Sequence, residues 1–211
     1  NFLVAVPCLT MFFLYMLMLR RIKGYTGDCC GAVFLLCELA FHLTAVVLLT
    51  STLTLQTRFL DMEIILVRHT SVAVAKGTCY GWTDVALSET FEQEATLTRN
   101  ALSAHAPFDA AYSSPLSRAT RLAAFCGYEN AIIDPQLREM NMGDWEMQRY
   151  DEIVDENLQR WYADYMNVRT TNGEGFPDLY ARVSNFLNQL KTQPHRRVVV
   201  FAHGGVLICA G

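Results

Sequence analysis

Two arginines and two histidines in the second part of the chain are of the types that transfer of a phosphoryl group requires. They are Arg68, His69, Arg118 and His203. A neutral imidazole is a competent nucleophile near pH 7 because its ordinary pKa is about 6.5. Guanidinium groups hold phosphate oxygens through paired hydrogen-bond donors, and phosphoryl transfer depends mainly on positioning and on stabilising the charge of those oxygens. The set therefore predicts phosphoryl-transfer chemistry.

Breaking a phosphate ester also requires an acid for the leaving alkoxide. Candidates lie in the stretch 137–146, which contains Glu139 and Glu146 seven residues apart. The chemistry of the residues alone leaves both open. Trp145, beside Glu146, is interpreted as a packing residue rather than as a platform for substrate.

Three apolar segments are expected to position these groups. The runs 63–67 and 197–202 are rich in apolar and β-branched residues, which is typical of buried parallel strands, and the stretch 109–114 reads as a third strand. Each run ends directly before one of the polar motifs, and α/β sheets bind their ligands at the carboxyl ends of strands. A helix through Phe125 and an amphipathic helix over 180–190 are predicted to cover this sheet, and the acidic stretch 151–156 is interpreted as a solvated helix face.

Composition separates the chain into two parts. Its hydrophobic content of 52% is concentrated in the first 60 residues, and its net charge of −4 with no basic stripe argues against nucleic-acid binding. Seven cysteines without regular spacing indicate neither a disulfide framework nor a zinc site.

Two long apolar runs precede the phosphoryl-transfer motifs. Residues 2–19 and 32–55 are each long enough to cross a bilayer. They predict an amino-terminal transmembrane helical hairpin over 1–57, followed by a linker at 58–61 and a globular domain over 62–211. A secretory signal is the weaker alternative, because the first run lacks a basic flank and a cleavage pattern.

The loop between the two apolar runs carries a motif of its own. It reads Gly24-Tyr25-Thr26-Gly27-Asp28 and continues through Gly31-Ala32 to Glu38-Leu39-Ala40-Phe41. Over residues 1–56 it resembles the carboxy-terminal part of cobalamin synthase, a membrane enzyme that joins activated cobinamide to α-ribazole or its phosphate. The resemblance makes Asp28 a candidate ligand for Mg²⁺. That family's other acidic motif lies upstream of the segment seen here.

Residues 62–211 resemble the histidine phosphatase superfamily, in particular its α-ribazole phosphatase branch. The resemblance implies a three-layer α/β fold like that of phosphoglycerate mutase, with no cofactor. It assigns His69 as the nucleophile, Arg68, Arg118 and His203 to the phosphate pocket, and Glu139 as the proton donor. The motifs that carry it are Arg68-His69-Thr70, Gly77-x-Cys79-Tyr80-Gly81-x-x-Asp84-x-x-Leu87, Ser113-Ser114-Pro115-Leu116-Ser117-Arg118-Ala119, Leu137-Arg138-Glu139-x-x-x-Gly143-x-Trp145-Glu146 and His203-Gly204-Gly205.

Four positions depart from the wider family. Thr70 replaces a glycine, although threonine suits this branch, and Ala75 stands where proline is expected. Met142 and Met147 occupy positions that often carry phenylalanine and glycine. These two methionines predict an altered wall around Glu139.

The two resemblances point to one pathway, the assembly of the lower nucleotide of cobalamin. The expected function is therefore a phosphomonoesterase acting on α-ribazole 5′-phosphate or cobalamin 5′-phosphate. A broad sugar-phosphate phosphatase tethered to a membrane is the alternative enzyme, and a non-catalytic binding module is the alternative from another class. The intact set of arginines, histidines and glutamate argues against the last.

The expected location contains a conflict. The positive-inside rule places Arg20, Arg21 and Lys23 in the cytoplasm, so a complete second span would export a phosphatase whose substrate is expected to be cytoplasmic. Either the second helix does not fully cross, or Met62 starts a separate soluble cytoplasmic protein. We expect a multi-pass membrane protein with a cytoplasmic phosphatase domain, truncated at its carboxyl end.

Overall fold

The computed structural model describes residues 62–211 together with two helical residues, His42 and Val46. The chain divides into two units, Asn1–Asp61 and Met62–Gly211. The predicted membrane hairpin, the linker at 58–61 and Asp28 lie outside the described residues, so they stay predictions. Within the part that is described, no helix is long and apolar enough to cross a membrane.

The second unit is built on a parallel sheet of four strands. They are β1 (Glu63–Arg68), β2 (Ala110–Ser113), β3 (Ile132–Ile133) and β4 (Arg197–Ala202). The order across the sheet is β1-β4-β2-β3, so that β4 lies between β1 and β2. This order brings the carboxyl ends of β1, β2 and β4 side by side.

Helices cover both faces of the sheet. Their bounds are α1 (Phe91–Ser103), α2 (Ser117–Phe125), α3 (Glu156–Ala163), α4 (Phe176–Leu190) and α5 (Gly204–Ala210), with short 3-10 turns at Pro135–Leu137 and Gly143–Trp145. Side chains alternate along β4, so that Val198 and Val200 pack with α4 and α5 whereas Val199 and Phe201 pack with α1 and α2. The predicted α/β fold with a parallel sheet is confirmed.

A smaller apolar cluster lies in the loops that follow β3. Trp145 is 1% exposed and packs edge-on against Trp161 at 5.8 Å, which confirms its interpretation as a packing residue. Its indole N–H donates to Asp155 at 2.7 Å, and Asp155 also caps α3. The stretch 151–156 is solvated as interpreted, with Asp151, Glu152 and Glu156 exposed, but its interpretation as a helix face is wrong because the helix begins only at Glu156.

Candidate active site

His69 follows the last residue of β1, with its ring held by its own neighbour. Nδ1 lies 2.7 Å from the carbonyl oxygen of Thr70. A carbonyl oxygen only accepts, so Nδ1 carries the proton and Nε2 keeps its lone pair. Burial lowers the pKa of His69 to about 4, with the positive charges of Arg118 and Arg68 acting in the same direction against the Thr70 hydrogen bond. The imidazole is therefore neutral near pH 7, as a nucleophile must be.

Arg118 is fully buried in the first turn of α2. Its guanidinium donates to the carbonyl oxygens of Gly81 at 2.6 Å and Thr83 at 2.9 Å, and its Nε donates to Nδ1 of His203 at 3.3 Å. Asp84 accepts from the amide and hydroxyl of Ser117 and so fixes the start of the helix. The stretch 81–84 therefore sets the position of Arg118, which explains why it belongs to the same motif set.

His203 lies at the end of β4, and its ring centroid is 5.2 Å from that of His69. Because Nδ1 accepts from Arg118, the proton of the neutral ring resides on Nε2, which lies 2.7 Å from the hydroxyl of Ser114. The pKa of His203 is lowered to about 2, first by burial and then by Arg118, His69, Arg182 and Arg68. The ring of His203 is therefore neutral at neutral pH.

Glu146, the alternative proton donor, is engaged as an acceptor. Its carboxylate receives the amides of Gly81, Trp82, Thr83 and Met142 at 2.8–3.2 Å. Burial alone would raise the pKa of Glu146, but these hydrogen bonds outweigh it and hold the pKa below its ordinary value. A carboxylate in this setting stays ionised and serves poorly as an acid.

The carboxylate of Glu139 lies beside the start of α5. Its carboxylate accepts from the amides of Gly205 at 3.2 Å and Met140 at 3.0 Å. A side chain at Gly205 would begin 2.3 Å from a Glu139 oxygen, so glycine is required there for the approach. A β-carbon on Gly204 would lie 3.7 Å from Cζ of Arg68 and 4.0 Å from Glu139, which places these two charged groups on the same glycine pair.

Arg182 in α4 positions Glu139, a role that the sequence analysis missed. Its guanidinium donates to the carbonyl oxygens of Gln136, Arg138 and Glu139 at 2.8–3.1 Å and pairs with the carboxylate of Glu174 at 2.8 Å. The sequence signal that could have indicated this role was the position of Arg182 in the helix. Arg182 is three residues from one core residue and four from another, so it shares their buried face.

Tyr80 separates two cavities at this end of the sheet. The first, about 450 Å³, is polar and is bordered by Arg68, His69 and Lys76. The second, about 360 Å³, is bordered by Glu139 and several aromatic rings. The ring of Tyr80 borders both and lies over Arg118, whose Cζ is 5.4 Å from the ring centroid.

The structure thus brings the predicted residues of the phosphatase part to one place. His69, Arg118 and His203 lie together at the strand ends, and Arg68 and Glu139 both lie beside Gly204. A neutral imidazole near guanidinium groups suits attack on a phosphate ester, and a nearby carboxyl group suits proton transfer to its leaving group.

The family follows from a comparison with known proteins. Residues 64–210 match the family model described as the histidine phosphatase superfamily (branch 1), and the chain belongs to that superfamily. Residues 1–47 match the model of cobalamin-5-phosphate synthase. Both predicted resemblances are confirmed.

Three individual proteins are similar to this chain over most of its length. The chain is 34% identical over 155 residues to the adenosylcobalamin/alpha-ribazole phosphatase of Salmonella typhimurium strain LT2, covering 69% of this chain and 76% of the relative. It is 30% identical to phosphoserine phosphatase 1 of Hydrogenobacter thermophilus, covering 67% and 71%. The crystal structure of the alpha-ribazole phosphatase from Shigella flexneri superposes with a TM-score of 0.64 at 29% identity, covering 69% and 76%.

Proposed function

We propose that the domain over 62–211 is a phosphomonoesterase that forms a phosphohistidine on Nε2 of His69. The supporting observation is the bond from Nδ1 of His69 to the Thr70 carbonyl, since it leaves Nε2 unprotonated beside Arg118 and His203. Arg68, Arg118 and His203 line the phosphate pocket, and Glu139 is the proton donor.

The reaction takes two steps. Nε2 of His69 forms a bond to phosphorus while the bond to the ester oxygen breaks, and Glu139 gives its proton to that oxygen. Water then attacks the phosphohistidine while Glu139 takes a proton from it, which releases inorganic phosphate and restores both residues. The positive charges of Arg68 and Arg118 stabilise the phosphoryl oxygens in both steps.

The substrate that the comparisons favour is α-ribazole 5′-phosphate or cobalamin 5′-phosphate. The Salmonella relative is named for α-ribazole and adenosylcobalamin, and the match of residues 1–47 to a cobalamin-5-phosphate synthase places a second segment in the same chemistry. The similarity to a phosphoserine phosphatase favours a broad small-ester phosphatase as the second candidate.

The amino-terminal segment extends the proposal. The apolar runs 2–19 and 32–55 would hold the chain in the membrane with the phosphatase on the cytoplasmic side, and Asp28 would bind Mg²⁺ in the synthase-like part. The phosphatase itself would need no metal.

Mass spectrometry of the native protein tests the fusion of the two segments. One peptide spanning Phe59 to Arg68 is expected, and a chain that starts at Met62 instead would contradict the fusion.

Covalent labelling tests the mechanism. In excess EDTA, a ³²P-labelled ester should phosphorylate the protein, and the label should be stable in base and lost in acid. His69→Ala should abolish both label and turnover, because loss of a nucleophile lowers the rate by several powers of ten. Turnover retained above about a hundredth of the parent rate would contradict the covalent step.

A further inference from the structure

Thr70 follows the proposed nucleophile and carries a hydroxyl that has no hydrogen-bond partner. The residue is 6% exposed and lines the polar cavity together with Arg68 and His69. Its Oγ1 is covered from solvent, and no partner for it lies in the part of the chain that the structure describes. We propose that this hydroxyl donates to an oxygen of the phosphoryl group held beside His69. The inference rests on the proposed function and adds a residue to the site that performs it.

The burial of an unpaired hydroxyl requires an explanation. Such a group gives up its hydrogen bonds to water and gains none in return, which costs free energy. Two other buried hydroxyls near the same strand ends are paired: that of Ser114 lies 2.7 Å from Nε2 of His203, and that of Ser113 donates to the Ser114 carbonyl oxygen at 2.9 Å. Of these three hydroxyls, only that of Thr70 is left without a partner. A phosphate oxygen in the adjoining cavity would provide one.

The role of Thr70 in orienting His69 does not account for the hydroxyl. The contact to Nδ1 of His69 is made by the carbonyl oxygen of Thr70, which any residue at this position has. Valine has nearly the same shape as threonine and would fill the space without burying a polar atom. Stability alone would therefore favour valine, and the hydroxyl is best explained by a ligand.

One rotation of the side chain brings the hydroxyl to the cavity. The staggered positions on Cβ are about 120° apart, so rotation about the Cα–Cβ bond exchanges the hydroxyl with the methyl group or the hydrogen. The cavity of about 450 Å³ has room for a phosphate ion beside Arg68 and His69. The guanidinium group contributes charge, whereas a neutral hydroxyl contributes direction. Thr70 would therefore orient the phosphoryl group for attack by Nε2 of His69.

Thr70→Val and Thr170→Val form a matched pair of variants. Both threonines are buried, but the hydroxyl of Thr170 donates to the carbonyl oxygens of Asn141 and Glu174 at 3.0 and 3.1 Å. Thermal unfolding of the whole chain is followed by tryptophan fluorescence, because its three tryptophans all lie within 62–211. Thr70→Val should raise the Tm by about 2–4 °C, since it removes an unpaired buried hydroxyl, whereas Thr170→Val should lower the Tm.

Phosphate binding and turnover should respond in the opposite sense to stability. Inorganic phosphate, titrated by calorimetry, should bind to Thr70→Val about tenfold more weakly than to the parent, because a hydrogen bond to a charged group is lost. Thr70→Ser, which keeps the hydroxyl, and Thr170→Val should bind phosphate as the parent does. Because every ester carries the phosphoryl group, Thr70→Val should lower kcat/KM for α-ribazole 5′-phosphate and for p-nitrophenyl phosphate equally, by about tenfold.

The outcomes distinguish this inference from the proposed function. Weaker phosphate binding in Thr70→Val, with a raised Tm, would support the contact even in a protein whose His69 takes up no label. Phosphate affinity that does not change in Thr70→Val would overturn the inference and leave the phosphatase intact, as would a parent that hydrolyses esters but binds no phosphate. A lowered Tm in Thr70→Val would also overturn it, because the hydroxyl would then have a structural partner such as a buried water. An effect on one ester alone would place the hydroxyl beside the leaving group and contradict the contact.

Discussion

The two sides of the candidate site are formed by different kinds of structural element. On the phosphate side, His69, Arg118 and His203 lie at or just after the ends of neighbouring parallel strands, held by backbone carbonyls and by one another. On the side of the leaving group, part of the wall comes from loops and a short helix between β3 and α4, and Tyr80 with residues of α4 and α5 forms the rest. The aromatic rings pack at edge-on or tilted angles.

This difference separates two tasks. The candidate substrates of the proposed function share a phosphate, and the ends of a sheet provide it with a rigid binding site. The leaving group differs between substrates, and loops on a rigid scaffold tolerate changes in size and shape. On the proposed function, we expect reaction type to depend on the strand ends and substrate choice on the cavity bordered by Tyr80 and Glu139.

Substitution of Glu139 should give the largest difference between the two sides of the site. A general acid matters most for a poor leaving group such as a ribose alkoxide, and little for p-nitrophenolate, which leaves unaided. Glu139→Gln should slow hydrolysis of α-ribazole 5′-phosphate by about 10²–10⁴-fold and that of p-nitrophenyl phosphate far less. Steady-state rates for the two esters measure this. Equal losses would indicate misfolding, and a selective loss in Glu146→Gln instead would exchange the roles.

Glu146 should behave in the opposite way, because it supports the phosphate side. A glutamine amide cannot accept all the backbone N–H groups that converge on this carboxylate, and an unpaired buried donor costs about 1–3 kcal/mol. The stretch 81–83 that holds Arg118 should shift, so Glu146→Gln should lower kcat/KM for both esters by about tenfold, equally. A change confined to one ester would show that Glu146 acts on the leaving group.

Met147, in the loops on the leaving-group side, has an unfavourable backbone conformation. Its φ is +64°, a left-handed conformation that costs a residue with a β-carbon about 1 kcal/mol or more, and the family often has glycine there. Met147→Gly should raise the free energy of unfolding by about 0.5–1 kcal/mol in urea denaturation, after the entropy that glycine loses. Asn172→Gly is the control, since asparagine tolerates its φ of +57°, and should change stability by less than about 0.5 kcal/mol. A destabilised Met147→Gly protein would contradict the account.

The smallest expected effect is that of pH on the rate at which His69 is phosphorylated. Because the pKa of His69 is lowered to about 4, the nucleophile is neutral above that pH and is lost only as the pH falls through it. Labelling of Glu139→Gln by saturating p-nitrophenyl phosphate should therefore fall less than twofold between pH 7 and pH 5. With a histidine of ordinary pKa, about 6.5, the neutral fraction and hence the labelling rate would fall about 25-fold over the same range. A rate that falls with a midpoint near pH 6.5 would contradict the lowered pKa.

The phosphate side was largely predictable from the sequence. Short apolar runs followed directly by Arg68-His69 and by His203-Gly204 predict strands whose ends meet, and the observed strands agree within one or two residues. Parallel strands impose this convergence, because their carboxyl ends share one edge of the sheet. The edge strand β3 is two residues long and was not predicted, since so short a pair carries no periodicity.

The leaving-group side was not predictable in the same way. Arg182 reads as a polar position in an amphipathic helix, and its hydrogen bonds to the backbone of 136–139 depend on how α4 packs. The rings of Tyr150, Trp161 and Tyr165 are separated in sequence by residues without regular spacing. Only the close packing of the loops, where a β-carbon on Gly143 would lie 2.1 Å from the Thr171 oxygen, brings them together. The motif spacing favoured Glu139 but left Glu146 as a rival, and the backbone amides that occupy Glu146 add the structural reason for Glu139.

Tyr80 has a further consequence because it belongs to both sides. Its ring rests over Arg118 and borders the aromatic cavity, so a leaving group against Tyr80 and a phosphate at Arg118 each steady the same residue. Linkage then requires that each ligand tighten the other by the same factor. If the substrate binds as proposed, the phosphoryl group stays beside Arg118 as the phosphohistidine after the ester bond breaks, so this coupling is kept until the phosphate itself leaves.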